Sequence, residues 1–283
     1  MSRDLQPLPD LLIEPVVRAA LAEDLGRAGD VTAALIDADA RLDAAFAARK
    51  SGRIAGLACL RLALHALDPA AKIEVVIGDG GDAEPGQVIA RVSANARALL
   101  TAERTALNLL GRLSGIATLT RAYVRAVEGT GAVIVDTRKT TPGLRALEKY
   151  AVRGGGGVNH RFGLDDAILI KDNHVAAAGG IPQVLERARA VAGHLTPIEV
   201  EVDTLEQLSQ ALPFAPHVIM LDNFTLDDLR SAVAMNAGRV RLEASGGINL
   251  DTVRAIAETG VDAISVGALT HSAPVLDIGL DAI

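Results

Sequence analysis

From residue 132 onward, apolar and polar positions fall into a regular rhythm. The short runs AVIVDT, AILIK, IEVEVD, HVIMLDN, RVRLEAS and AISVGA read as strands. Between most of them lie patterns of helical period, such as TLEQLSQAL, TLDDLRSAVAM and LDTVRAIAETG. Strands recurring every ~20–30 residues with helices between them predict βα units and a parallel sheet or barrel. The six visible strands fall short of eight, and the segment is well below the ~250 residues of a full barrel. An incomplete α/β barrel is expected.

Upstream the pattern is helix, then strands, then one long helix. LLIEPVVRAALAEDL follows Asp10, a candidate N-cap, and stops at Gly26. DAAFAARKSGRIAG, AKIEVVIGDGG and QVIARVSA are strand-like pieces parted by Gly, Pro and Asp. RALLTAERTALNLLGRLSGIATLTRAYVRAV then presents Leu99, Leu100, Leu107, Leu110, Leu113 and Ile116 on an apolar side. Arg104, Asn108 and Arg112, four apart, form a polar stripe. The tail VLDIGLDAI sets Leu276, Ile278 and Leu280 against Asp277, Gly279 and Asp281. It reads as an antiparallel edge strand able to return to the N-terminal sheet.

Composition narrows the function. The 283 residues are 49% hydrophobic, ample for a core, and carry a net charge of −7, which argues against a nucleic-acid footprint. Any anion site must then be a local cluster of cations. Cys59 stands alone, so no internal disulfide forms, and no His/Cys spacing resembles a zinc site. The start, MSRDLQPLPD, lacks a basic-then-apolar signal pattern, and no apolar run approaches a membrane span; a cytoplasmic globular protein is expected. Aromatic residues make up only 2%, without Trp, so a planar ligand would be held by its charges and edges.

In barrels the site lies at the C-terminal strand ends. Here the first strand ends in Asp136-Thr137-Arg138-Lys139, the next region brings His160-Arg161, and its strand ends in Lys171. Glu199 and Glu201 alternate onto one face of the third strand, and the fourth ends in Asp222-Asn223. Glu243 precedes Ser245-Gly246-Gly247, and Gly267-Ala268 closes the last strand. Taken singly, each has a plain structural reading: surface cations, a hydrogen-bonded histidine, ion-paired carboxylates, tight turns. Their convergence favours function, because so many charges on one rim repel one another unless ligands offset them. Glycine turns after the last strands, leading into helix N-termini, form a phosphate cradle from backbone N–H groups. Two carboxylates without a His/Cys set suit Mg²⁺. The cations then require a second anion, and arginine forks fit carboxylates. The run RGGGGVNHRFG is expected to bring backbone close to that site.

DTRKTTPGLRALEKYAVRGGGGVNHRFGLDDAILIKDNH closely resembles the signature of the quinolinate phosphoribosyltransferases. The likeness extends through LAEDLGRAGDVT, TAERTALNLLGRLSGIAT, EVEVDT, IMLDN, EASGGI and ISVGALTHS, nearly the whole chain. The resemblance implies an N-terminal α/β sandwich domain over residues 1–111 joined by the tail 271–283. It further implies an incomplete, about seven-stranded α/β barrel over 112–270, and a homodimer. The implied reaction joins quinolinate to phosphoribosyl pyrophosphate with Mg²⁺, giving nicotinate mononucleotide, CO₂ and pyrophosphate for NAD biosynthesis. Thr137, Arg138, Lys139, His160, Arg161, Lys171 and His174 would surround quinolinate, with Arg104 reaching in from the partner subunit. Glu201 and Asp222 would hold the ribose hydroxyls and Mg²⁺. Ser245, Gly246, Gly247, Gly267 and Ala268 would cradle the 5-phosphate. Lys139, Lys171, Glu201 and Asp222 form the implied catalytic set. Gly154 and Gly111 depart from the family pattern, at positions without an obvious chemical role.

Two other readings fit the residues. A Schiff-base barrel lyase would use Lys139 or Lys171 beside the phosphate cradle. A non-catalytic paralogue would bind a pyridine acid or oxyanion, although the intact Lys171-Asp172-Asn173-His174 run and the full cation set speak against it.

Overall fold

The structure, a computed structural model, describes residues 5–283. The expectation about a leader falls partly on residues 1–4, outside them. The chain forms two compact units. The first comprises the described residues up to Arg121, with Thr140–Gly156 and Leu269–Ile283; the second comprises Ala122–Lys139 and Gly157–Ala268.

In chain order, α1 (Asp10–Leu25) buries Ile13, Val17 and Leu21, four apart and so on one face. Asp10 does not cap it. Pro9 occupies the cap position, and the Asp10 carboxylate, already inside the first turn, pairs with Arg61 at 2.6 Å. Gly26, at φ +52°, ends the helix as expected. Then come β1 (Arg41–Ala48), β2 (Gly52–Arg53), α2 (Leu57–Leu67), β3 (Lys72–Val75), β4 (Asp82–Ala83) and β5 (Val88–Asn95). The long apolar stripe folds as one helix, α3 (Ala96–Ala126). The βα rhythm follows as β6 (Val133–Val135), α4 (Arg145–Gly154), β7 (Ile168–Ile170), α5 (Asp172–Ala178), α6 (Ile181–Val191) and β8 (Ile198–Val202). It continues with α7 (Leu205–Ala211), β9 (Val218–Asp222), α8 (Leu226–Asn236), β10 (Arg241–Ser245), α9 (Val253–Ala257), β11 (Ala263–Ser265) and α10 (Ala268–His271), and ends in β12 (Ile278–Ala282).

In the first unit, β12-β1-β5-β3 form an antiparallel sheet with the C-terminal strand on its edge, opposite Ala44–Ala48 of β1. The tail does return to the N-terminal sheet. Ala44 through Ala48 are all buried, so β1 is covered on both faces. The chain reaches β12 by crossing α3 at Gly111 and Gly115. The Leu276 N–H donates to the Gly111 carbonyl at 3.0 Å, and a methyl on Gly115 would overlap the Pro274 carbonyl. A Cβ on Gly111 itself would lie 2.9 Å from the Leu276 carbonyl, so Gly111 has a steric role. Arg112 turns inward: its Nη2 reaches Glu148 Oε1 at 2.8 Å, its Nη1 reaches the Ala273 carbonyl at 3.1 Å, and Nη2 also meets the Thr270 carbonyl. Glu148, wholly buried on α4, also accepts the Thr141 N–H at 3.0 Å and its hydroxyl at 2.8 Å.

The glycine run has a different purpose from the one its sequence implies. Gly154 ends α4, and a Cβ on Gly155 would lie 2.5 Å from both the Ala117 carbonyl and Thr120 Cβ of α3. Gly156 turns the chain at φ +93°. The run lets α4 sit directly on α3 and then reverse direction, and Asn159-His160-Arg161 follows from that turn.

In the second unit the order is β6-β11-β10-β9-β8-β7, all parallel. Val158 forms a single parallel bridge to Val135 on the outer side of β6, the remnant of a seventh strand. Thr204 and Thr225 cap α7 and α8 by accepting the Gln207 and Asp228 N–H groups. No helix among the described residues is long and apolar enough to cross a membrane.

Candidate active site

Strand order sorts the chemistry differently from chain order. Around the sheet run Asn159-His160-Arg161 beside the Val158 bridge, then Thr137-Arg138-Lys139 after β6. Gly267-Ala268 follow β11, Ser245-Gly246-Gly247 close β10, Asp222 ends β9, Glu201 lies on β8 and Lys171 follows β7. The glycine turns thus lie between the guanidiniums and the carboxylates rather than after both, and Lys171 lies beyond the carboxylates.

At the cationic end Asp136, completely buried, accepts the His160 N–H at 2.8 Å and the Asn159 amide at 2.6 Å. These bonds fasten the 159–161 segment to the end of β6. The His160 ring accepts the Arg161 N–H at Nδ1, 2.8 Å away, and places Nε2 2.8 Å from Glu199 and 3.8 Å from Glu243. With Nδ1 accepting, the proton of a neutral ring sits on Nε2 and points at Glu199. These contacts join the outer side of β6 to β8 and β10, so the sheet curls upon itself. Glu199 and Glu243 are 7% and 4% exposed, and the Oε1 of each lacks a hydrogen-bond partner among the described residues. Burial, reinforced by the Glu199 charge, pushes the Glu243 carboxyl up to about 7, with His160 opposing. Burial and the neighbouring Arg138 guanidinium pull Arg161 below the usual guanidinium range. Among the described residues the buried Nε atoms of Arg138 and Arg161 have no hydrogen-bond partner. Two like charges held together with donors unspent form a site for an anion.

At the other end, Glu201, Asp203 and Asp222 bring carboxylate oxygens within 4.8 Å of one another. Three oxygen ligands of this kind match a hard divalent cation such as Mg²⁺. Lys171 Nζ lies 2.5 Å from Glu201, and the His174 Nδ1 accepts the Lys171 N–H at 3.0 Å. The charges expected to repel one another are therefore partly paired within the protein. Lys171 is exposed and ion-paired, and Lys139 is exposed, so neither has the dry apolar pocket that activates a Schiff-base lysine.

In the centre, Asn223, at φ +56°, donates its backbone N–H to the Ser245 carbonyl at 2.9 Å and its amide to Asp222 at 2.7 Å. Gly246 and Gly247 turn at φ +94° and +61°, and a methyl on Gly246 would overlap the Asn223 side chain. Only glycine lets the chain turn there. The expected helix N-termini are short: α9 starts at Val253, well after Gly247, and α10 has four residues. A cradle at these turns would rest on loop N–H groups rather than on a helix dipole.

Thr137 accepts the Lys139 N–H at 3.0 Å, shaping the loop that carries both cations. Arg104 lies in the first unit, exposed on α3 and without an ion-pair partner among the described residues. Asp203 lies just past β8, two residues after Glu201, and that spacing is its only signal in the sequence.

Guanidiniums at one end, oxygen ligands at the other and a glycine turn between them characterise barrel enzymes that handle two anionic substrates, one of them phosphorylated. Similarity to known proteins narrows that class. Residues 30–114 match the N-terminal domain of quinolinate phosphoribosyl transferase, and residues 116–281 match its C-terminal domain. The chain belongs to the quinolinate phosphoribosyl transferase family. It is 50% identical over 271 residues to the nicotinate-nucleotide pyrophosphorylase [carboxylating] of Mycobacterium leprae, covering 94% of this chain and 95% of the other. It is 45% identical to the probable enzyme of that name from Bacillus subtilis, covering 96% and 93%. The solved nicotinate-nucleotide pyrophosphorylase of Francisella tularensis superposes with a TM-score of 0.95 at 38% identity, over all of both chains.

Proposed function

We propose that the protein transfers the phosphoribosyl group of phosphoribosyl pyrophosphate to quinolinate and decarboxylates the product. Nicotinate mononucleotide, CO₂ and pyrophosphate result, in de novo NAD biosynthesis. The observation that carries this reading is the Arg138–Arg161 pair, whose buried donors call for a carboxylate-bearing ligand, in a chain that matches both family domains. Charge-assisted bonds to the ring carboxylates contribute about 1.5–3 kcal/mol each and orient the pyridine nitrogen. That nitrogen attacks C1 of the ribose as pyrophosphate departs. Loss of CO₂ leaves the electron pair of the broken bond on the ring carbon, stabilised as an ylide by the adjacent cationic nitrogen, and that carbon then takes one proton, for which Lys139 and Lys171 are the ammonium donors at the strand ends.

Glu201, Asp203 and Asp222 would hold Mg²⁺, which when bound offsets the charge of the pyrophosphate. Glu201 and Asp222 would also hold the ribose hydroxyls. Ser245, Gly246, Gly247, Gly267 and Ala268 would surround the 5-phosphate. Arg104, exposed and without an ion-pair partner among the described residues, supports a homodimer in which it serves the partner subunit's site.

The test is a coupled assay with purified protein, Mg²⁺, phosphoribosyl pyrophosphate and quinolinate, following CO₂ and nicotinate mononucleotide together, with nicotinate as control. Both products from quinolinate and none from nicotinate are expected. Binding of quinolinate without turnover would instead support the non-catalytic paralogue.

A further inference from the structure

We infer that His160 is a positioning residue for Arg161 rather than a ligand of the substrate, and that Asp136 and Glu199 act through it. The inference rests on the transferase reading and reassigns one residue within it. An imidazole offers two polar atoms, and both are already engaged: Nδ1 accepts the Arg161 N–H at 2.8 Å, and Nε2 lies 2.8 Å from Glu199. The backbone of His160 is equally committed, through the Asp136 carboxylate at 2.8 Å. The ring is therefore a strut between a buried carboxylate and the main chain of Arg161.

Arg161 needs such a strut. It sits close enough to Arg138 to feel its charge, and among the described residues its guanidinium donates only one hydrogen bond, 3.3 Å from Nη1 to the Ala167 carbonyl. Without an anchored backbone the two guanidiniums would move apart before a ligand arrives. Glu199 serves twice, orienting the imidazole and supplying a negative charge near Arg161. Glu199 and Asp136 are buried, so they act only through what they hold.

The experiment is a double-mutant cycle. His160→Ala, Arg161→Ala and the double variant are compared for kcat, for KM of each substrate, and for quinolinate binding by calorimetry. His160→Ala is expected to weaken quinolinate about ten- to a hundredfold, leaving KM for phosphoribosyl pyrophosphate within about twofold. The double variant should be no worse than Arg161→Ala within about threefold, because a strut has no effect once its load is gone. His160→Asn should recover part of the loss, since its Oδ1 stands where Nδ1 accepts. If His160→Ala does not fold, Glu199→Gln with and without Arg161→Ala runs the same cycle. Losses that multiply mean that His160 touches the substrate and overturn the assignment alone. So does an unchanged quinolinate affinity in His160→Ala. A wild type that neither binds nor turns over quinolinate overturns the transferase reading, and the assignment with it.

Discussion

Glu243→Gln should make the protein more stable at pH 8 than the wild type while changing little at pH 5. The Glu243 carboxyl is buried beside Glu199, with Asp136 adding a further negative charge and His160 the nearest opposing group. Its affinity for a proton rises from 4.5 in the exposed chain to about 7 in the fold. Between those values the native state holds a proton that the unfolded state has released. Stability therefore falls as pH rises through that window, the reverse of the usual carboxylate case. At about 1.36 kcal/mol per pH unit, the group alone removes about 3 kcal/mol across the window. Glutamine has the same shape and carries no charge, so the variant escapes that loss. Chemical or thermal denaturation at half-unit pH steps measures the difference between the two proteins, in which the titrating groups that do not interact with Glu243 cancel. A gap opening to about 2–3 kcal/mol, or about 3–5 °C in Tm for a chain of this length, is expected by pH 8. Parallel curves across the window would refute the reasoning, because they would mean that Glu243 is ionised in the fold at no cost.

Glu148→Ala strands the Arg112 guanidinium and should cost about 3–5 kcal/mol by thermal denaturation; Arg112→Met with Glu148→Leu should cost less than either single change. Gly246→Ala forces a Cβ into the Asn223 side chain at φ +94°, so KM for phosphoribosyl pyrophosphate should rise at least about tenfold with a small loss of Tm. Asp203→Asn should raise the Mg²⁺ concentration needed for half-maximal activity and leave quinolinate binding unchanged; calorimetric titration of the metal checks this. Lys171→Ala frees Glu201 from its ion pair, and kcat/KM should drop by about a hundredfold or more with the fold retained.

The sequence by itself determined the succession of strands and helices, the single long helix, the return of the tail, and the residues at each strand end. These follow from periods of 2 and 3.6 and from turn chemistry, which act over a few residues. Glu199 and Glu201 could be assigned to one face of β8 on the same ground. Asp10 has the residue type of a cap, yet Pro9 decides where the helix starts, a difference that residue type alone does not reveal.

Only the tertiary structure decided how those pieces meet. Strand order depends on which backbones pair, and placing β11 and β10 between β6 and β9 moved the glycine turns to the middle of the site. Curling of the sheet carried Glu199 and Glu243 under His160, contacts between residues far apart in sequence that no local pattern encodes. The glycine run reads alike whether it faces a ligand or a helix. The fit of Gly155 against Ala117 and Thr120 identifies the helix. Local periodicity reports which way a side chain points, and burial against a distant partner decides what that side chain does.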